Sequence, residues 1–263
     1  MSVAERIFHA VTYRHPRERS EDGAIAYDDR SLRHFLTRFD PPLSFAGRNV
    51  LDVGCGRGVL CVEAARQGAA HVTGIDFKVD EARVYLERQE PGLSARVMLV
   101  ETNGDLGELG DQQFDMILSK DSFEHYDDPE GFLASIMARL SPGGTLAIGF
   151  GPLWKSPTGG HIGYMTPLPW AHLLFPESVI MAERRRFRPE ECARRWSEVR
   201  GGLNQMTLGR FQRILRTSGL ECLYFATNVS DNRAVKAMAA VGKIPGLREY
   251  FTQNVYTVLR KPA

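Results

Sequence analysis

Cysteine is scarce in this sequence. Its 263 residues hold four, Cys55, Cys61, Cys192 and Cys222. None stands in CxxC spacing, and the density is far below that of a disulfide scaffold. They read as reduced thiols of a cytoplasmic protein. Charge of one sign is missing too: a net +1 excludes a wholesale nucleic-acid binder, which needs a basic footprint. No apolar run comes near the ~18 residues of a membrane helix, so no membrane span is expected. The opening MSVAERIFHAVTYRH lacks the basic-then-apolar layout of a secretory signal. Internal repeats and low-complexity tracts are absent. What is left is ordinary globular composition, 43% hydrophobic and 25% charged, with enough apolar material for a large core.

The pattern along the chain divides it into four parts. Residues 1–47 form a polar, Arg-rich helical cap, with Leu32, Phe35, Leu36 and Phe39 at helical spacing, Ser31 as N-cap and Pro41-Pro42 as a stop. Residues 48–150 form the core. Short apolar strands at 49–53, 71–76, 96–100, 114–118 and 145–150 alternate with helices at 59–66, 79–89 and 129–140, and Pro142-Gly-Gly144 is a turn. That alternation means an α/β, doubly wound, mostly parallel sheet. Residues 151–206 lose the rhythm and read as a functional insertion. Residues 207–263 return to the core through a helix at 208–218 and strands at 221–226 and 254–259, with a helical insert between the two strands.

The strand–loop–helix at Val50–Ala65 is a ligand cradle. Gly54, Gly56 and Gly58 allow sharp turns and close approach to the backbone. Ligands of open α/β sheets sit at the carboxyl ends of the strands. Asp76 ends the second strand, 22 residues after Gly54, where a carboxylate can accept from both hydroxyls of a ribose. Two cofactor classes fit. A dinucleotide fingerprint needs glycine at 59, where Val59 stands. That weakens an NAD(P)-dependent oxidoreductase and leaves it open.

Val50-Leu-Asp-Val-Gly-Cys-Gly-Arg-Gly58 resembles the first motif of class I S-adenosylmethionine-dependent methyltransferases. Gly74-Ile-Asp76, Gly104-Asp105-Leu106, Phe114–Ser119, Ser122–Pro129 and Ala138-Arg-Leu-Ser-Pro-Gly-Gly144 resemble the family's later motifs, in order and at matching spacing. The resemblance covers 48–150 well, 207–227 and 254–260 weakly, and the rest not at all. It implies a seven-stranded Rossmann-like sheet whose last strand is antiparallel. It also implies that Gly54, Cys55 and Gly56 face the methionine part of S-adenosylmethionine, with Asp52 ordering the loop and the amino group. Asp76 would take the ribose, Phe77 would pack on adenine, and Asp105 with Leu106 would hold the adenine edge. Ser119 and Lys120 would line the floor beside the sulfonium. A cation there is unfavourable unless paired, and Asp121 or Glu124 is at hand. Residues 101–130 carry ten acids and one lysine, a suitable field for a cationic cofactor.

The expected activity is methyl transfer to a small molecule at a hydroxyl or carboxylate oxygen, the residues 151–206 forming a lid. Gly151, Gly159, Gly160 and Gly163 would be its hinges, and Trp154, Tyr164, Trp170 and Phe175 either pack it down or wall an apolar pocket. His125 and His161 are the candidate bases, with working pKa values near neutrality. His172, on an apolar turn, reads as a core histidine. His161 and His172 lack the carboxylate spacing of a metal site, so no metal is expected. Arg184, Arg185, Arg186, Arg188, Arg194, Arg195 and Arg200 read as a solvated helix face, or else as an anion site. A non-catalytic protein that binds S-adenosylmethionine is a third reading, against which the intact Asp52, Asp76 and Asp105 count.

Overall fold

The structure is a computed structural model that describes residues 2–15 and 21–263, with side chains of the second helix described from residue 27 onward. Residue 1 and residues 16–20 of the expected helical cap lie outside the described residues. Helices α1 (Val3–Ala10) and α2 (Glu21–Leu36) come first. The core then runs β1 (Asn49–Val53), α3 (Val59–Arg66), β2 (His71–Asp76), α4 (Asp80–Gln89), β3 (Val97–Glu101), β4 (Phe114–Lys120), α5 (Pro129–Arg139) and β5 (Leu140–Phe150). Helices α6 (Ala171–Leu174) and α7 (Glu177–Phe187) occupy the insertion. The chain closes with α8 (Leu208–Thr217), β6 (Glu221–Thr227), α9 (Arg233–Val241) and β7 (Val255–Arg260).

The strands form one sheet in the order β3-β2-β1-β4-β5-β7-β6. Strand β7 is antiparallel to β5 and β6, and every other pairing is parallel. Alternation along the strands separates two cores. Leu51, Val53, Ile75, Ile117, Leu146 and Ile148 face α5 and α8. Val50, Val72, Val97, Met116, Leu118 and Ala147 face α3 and α2. Each such side chain contributes about 1.5–3 kcal/mol when fully buried. Strands β1 to β6 all run in one direction, so their carboxyl ends share one edge, where the loops converge.

Two expectations shift in register. Ser31 is not an N-cap: α2 begins ten residues earlier, and the Ser31 hydroxyl instead donates to Asp121 Oδ2 at 3.1 Å. Strand β5 starts at Leu140, because Leu140 pairs with Phe114 before the Pro-Gly-Gly turn. Gly143, at φ 74°, then lets the turn bond Lys261 at the end of β7. No helix among the described residues is long and apolar enough to cross a membrane.

The insertion is better ordered than its sequence suggests. Ile162, Met165, Ile180, Met181, Phe187 and Trp196 form a third core of their own, completed by Phe8 of α1. The lid aromatics pack it down: Trp154 lies 5.2 Å from Trp196 and 4.7 Å from His172 between ring centres, and Phe175 lies 4.7 Å from Phe8. The expected hinges at Gly159 and Gly160 are instead close-packing points. A Cβ at Gly159 would stand 2.0 Å from the Trp154 carbonyl oxygen, and one at Gly160 2.6 Å from His172.

Candidate active site

At the carboxyl edge the glycine loop turns back on itself with Gly54, Gly56 and Gly58 at φ 75°, 53° and 74°. Such angles are costly for residues with a side chain. Gly54 and Cys55 both donate their N–H to the Ile75 carbonyl, at 2.9 and 3.0 Å. Gly56 N–H donates to Asp76 Oδ2 at 2.8 Å. The amides that a pyrophosphate would need are thus already occupied within the protein. A Cβ at Gly54 would strike Ser122 at 2.6 Å, while one at Gly56 would meet nothing within 4 Å. Gly56 therefore borders open space that any side chain would fill. The loop leads into α3, whose N-cap is Gly58.

Asp52 lies beneath the loop, 1% exposed. Its Oδ2 accepts from the Cys61 thiol at 3.3 Å, and its Oδ1 has no partner. Burial pushes its carboxyl up to about 7, against the Cys61 bond and the nearby Lys120 cation. A buried carboxylate with an orphan oxygen beside an open glycine cradle suits a cation, and the ammonium and sulfonium of S-adenosylmethionine meet that description. Asp76 is half-buried, its second oxygen accepting from Phe77 N–H at 2.7 Å. The Phe77 ring is 64% exposed and offers a bare face at the rim. Gly104 takes φ 102° in the loop after β3. Asp105 Oδ1 accepts from Gly107 N–H at 2.8 Å. Leu106 is buried, its side chain in the core and its carbonyl accepting from Arg139, which narrows the role expected for it.

Strand β4 carries Ser119 and Lys120 to the centre. Ser119 is fully buried, its hydroxyl 3.1 Å from that of Ser122, which donates to the Val53 carbonyl at 2.9 Å. Lys120 Nζ donates to Asp121 Oδ2 at 2.7 Å, so the cation is paired as expected. The other candidate partner, Glu124, is buried with Oε2 unbonded, and burial followed by repulsion from Asp121 holds its carboxyl well above the usual range.

His125 and His161 come together, ring centres 5.7 Å apart and edge to face. His125 Nδ1 lies 2.8 Å from the Gly202 carbonyl. A carbonyl can only accept, so Nδ1 carries the proton of that bond, and Nε2 is the nitrogen it leaves for other work. His161 departs from the expected neutral-range pKa. Burial and the neighbouring His125 push it down to about 4, and its Nε2 is buried with no partner. It is an uncharged imidazole at physiological pH. His172 is the core histidine expected, 6% exposed, its Nε2–H donating to the Trp154 carbonyl at 2.5 Å.

The arginine run divides: Arg185, Arg186, Arg194, Arg195 and Arg200 are exposed as a solvated face would be, while Arg184 and Arg188 are tied up in pairs. Arg184, 4% exposed at its side chain, pairs with Glu191 at 2.7 Å, and Arg188 takes the other oxygen at 3.1 Å. Arg188 also stacks 4.2 Å from the Tyr164 ring centre. Arg185 donates to the Ala193 carbonyl, and Arg186 pairs with Glu183. Arg184 and Arg188 knit the insertion together through Glu191. One functional residue escaped the sequence reading. Asn204, at the lid's exit, donates to the Phe123 and Tyr126 carbonyls at 2.9 Å each and fixes the loop bearing His125. No local signal marks an asparagine whose partners lie about 80 positions away. Among the described residues, no group of three His, Cys, Asp or Glu side chains is arranged to hold a metal.

A sheet in this order, with one antiparallel strand and a glycine cradle shaped for a cation, defines the class I S-adenosylmethionine-dependent methyltransferase fold. Comparison with known proteins agrees. A family model described as a methyltransferase domain matches residues 24–224, and the chain belongs to that family. The ubiquinone biosynthesis O-methyltransferase of Pseudomonas syringae pv. tomato is 34% identical over 138 residues, 52% of this chain and 57% of that protein. The chain thus spans about half the length of the curated relatives it matches. Among solved structures, an S-adenosylmethionine-dependent methyltransferase from Mesorhizobium loti aligns with TM-score 0.56 at 18% identity, over 91% of this chain and 99% of its own. The [4+2]-cyclase SpnF aligns with TM-score 0.54 at 19% identity, over 98% and 92%. Both likenesses are of fold. The family sets aside the nicotinamide reading.

Proposed function

We propose that the chain transfers a methyl group from S-adenosylmethionine to an oxygen of a small-molecule acceptor, with His125 as the base. The observation that carries this reading is the His125 ring just past the carboxyl end of β4, whose Nδ1 donates to the Gly202 carbonyl and so leaves Nε2 as the nitrogen for the acceptor. The name of the Pseudomonas relative, an O-methyltransferase, supports oxygen as the acceptor atom. Asp52, the Gly56 cradle, Asp76 and the Phe77 ring would hold the cofactor.

When bound, the cofactor supplies a methyl on a sulfonium: an acceptor lone pair bonds to the methyl carbon while the carbon–sulfur pair leaves with sulfur as a thioether. The chain's own work is placement and proton handling. His125 Nε2 takes the hydroxyl proton and passes it to solvent, a contribution of roughly 10²–10⁴-fold. Holding two reactants in line is worth roughly 7–11 kcal/mol of barrier. His161 excludes water beside His125 without adding charge. Titration calorimetry with S-adenosylhomocysteine and with NAD, followed by a labelled-methyl assay on hydroxylated small molecules, tests the reading. Tight S-adenosylhomocysteine binding and a methylated oxygen are expected; binding of NAD alone, or methylation confined to nitrogen, would sink it.

A further inference from the structure

A cleft of about 260 Å³ opens between α2 and the carboxyl ends of β4 and β5. Its floor is aromatic. Phe35, Phe150 and Tyr256 line it, and a Cβ at Gly149 beneath would strike the Tyr256 ring at 2.6 Å and Phe35 at 3.0 Å. One helical face supplies the rim, since Arg30, Ser31 and His34 of α2 recur at helical spacing and all line the cleft. Asp121, at the far wall, adjoins the cofactor side of the edge, so the cleft and the glycine cradle flank β4.

Size and charge narrow the occupant. A cavity of ~150 Å³ is enough for benzene, so this cleft takes one substituted ring. Aromatic walls favour a flat ring through stacked and edge-to-face contacts. The charges on the rim do not cancel. The Asp121 carboxylate is neutralised by Lys120 at 2.7 Å and accepts from Ser31. Arg30 forms no ion pair among the described residues and is exposed at the cleft, with His34 one turn further on. The carboxylate across the cleft, Asp121, is already paired with Lys120, so the Arg30 guanidinium is a ready partner for another.

We propose that this cleft is the acceptor pocket and that it takes a single-ring hydroxylated aromatic acid, its carboxylate on Arg30 and its ring on Tyr256. The proposal rests on the methyl-transfer reading above and names its substrate class. A carboxylate here also places a negative charge near the site that receives a cationic cofactor, so the two ligands attract.

The test uses 3,4-dihydroxybenzoate and catechol, which differ only in the carboxylate. Each is titrated into protein saturated with S-adenosylhomocysteine and assayed for methyl transfer. The acid should bind at least about tenfold more tightly than catechol, which corresponds to ~1.4 kcal/mol. Arg30→Gln should erase that preference with S-adenosylhomocysteine affinity unchanged, and Arg30→Lys should restore part of it. Equal binding of acid and catechol, or a preference that survives Arg30→Gln, would overturn the proposal and leave methyl transfer standing. Failure of S-adenosylhomocysteine to bind at all would bring down the methyl-transfer reading, and this one with it.

Discussion

The glycine-loop half and the insertion at 151–206 are held by different physics. In residues 48–120 the chain signals are local, an apolar strand, a turn of left-handed glycines and a helix, and the loop they make is then pinned by the end of the adjacent strand at Ile75 and Asp76. In residues 151–206 placement comes from partners far along the chain. Phe8 completes the lid's core, Asn204 grips the loop at 123–126, and Gly202 fixes the tautomer of His125. The halves meet at that histidine, whose ring comes from the core and whose Nδ1 is held by Gly202 of the insertion. A binding site written locally and a catalytic geometry written at long range should fail separately when mutated.

The strongest expected effect tests the local side. Gly56→Val puts a branched side chain into the open space of the cradle, on a backbone at φ 53°. Strain at such a residue costs about 1–3 kcal/mol. S-adenosylhomocysteine binding should disappear while the melting temperature drops only modestly. Retained affinity would mean the cradle is elsewhere.

The two histidines sharpen the comparison next. His125→Ala should lower turnover by roughly 10²–10⁴-fold with cofactor affinity intact. His161→Ala should cost much less, because an imidazole pushed down to about 4 is a poor base near neutrality. Measuring both variants' turnover and S-adenosylhomocysteine affinity decides it, and a larger loss at His161 would reverse the assignment.

Arg184→Met probes the lid alone. It strands Glu191, 5% exposed at its side chain, without its nearest cation. Breaking a buried pair from one side costs about 3–5 kcal/mol. Limited proteolysis should then cut within 151–206 first, and turnover should fall further than cofactor affinity. Uniform loss of both would show that lid and core unfold as one.

The smallest effect is a pH dependence at Asp52. Its folded pKa, about 7, lies above the ordinary 3.8 of an aspartate, so the free fold favours the protonated carboxyl. That contribution to stability is fully present below about pH 4 and is lost as pH rises through 7. A cation arriving at Oδ1 reverses the preference and expels a proton. S-adenosylhomocysteine should therefore bind a few-fold more tightly at about pH 8 than at about pH 6. Calorimetry in buffers of different ionisation enthalpy should count the released proton, and Asp52→Asn should flatten the trend. A proton count of zero would remove the cation from Asp52.

The same division explains what the sequence reveals. Val50–Gly58 and Asp76 are legible because strand, turn and helix signals are short-range, and the sheet follows from their alternation. Helix α7 and its arginines are not, since Arg184 looks like any surface charge until Glu191 folds back beside it. Ser31 mimics an N-cap because serine suits that role locally, although α2 runs through it. The pKa of His161 depends on burial by residues that no spacing rule connects.

Phe8, wholly buried in the lid's core, has one more consequence. Chimeras that trade substrate lids between members of this family would normally be cut at the sheet, on either side of residues 151–206. Here such a graft would leave a foreign lid without the ring that seals it, and would leave α1 facing a surface it was not shaped for. The exchangeable module is discontinuous: the first helix and the insertion, some 140 positions apart, have to travel together.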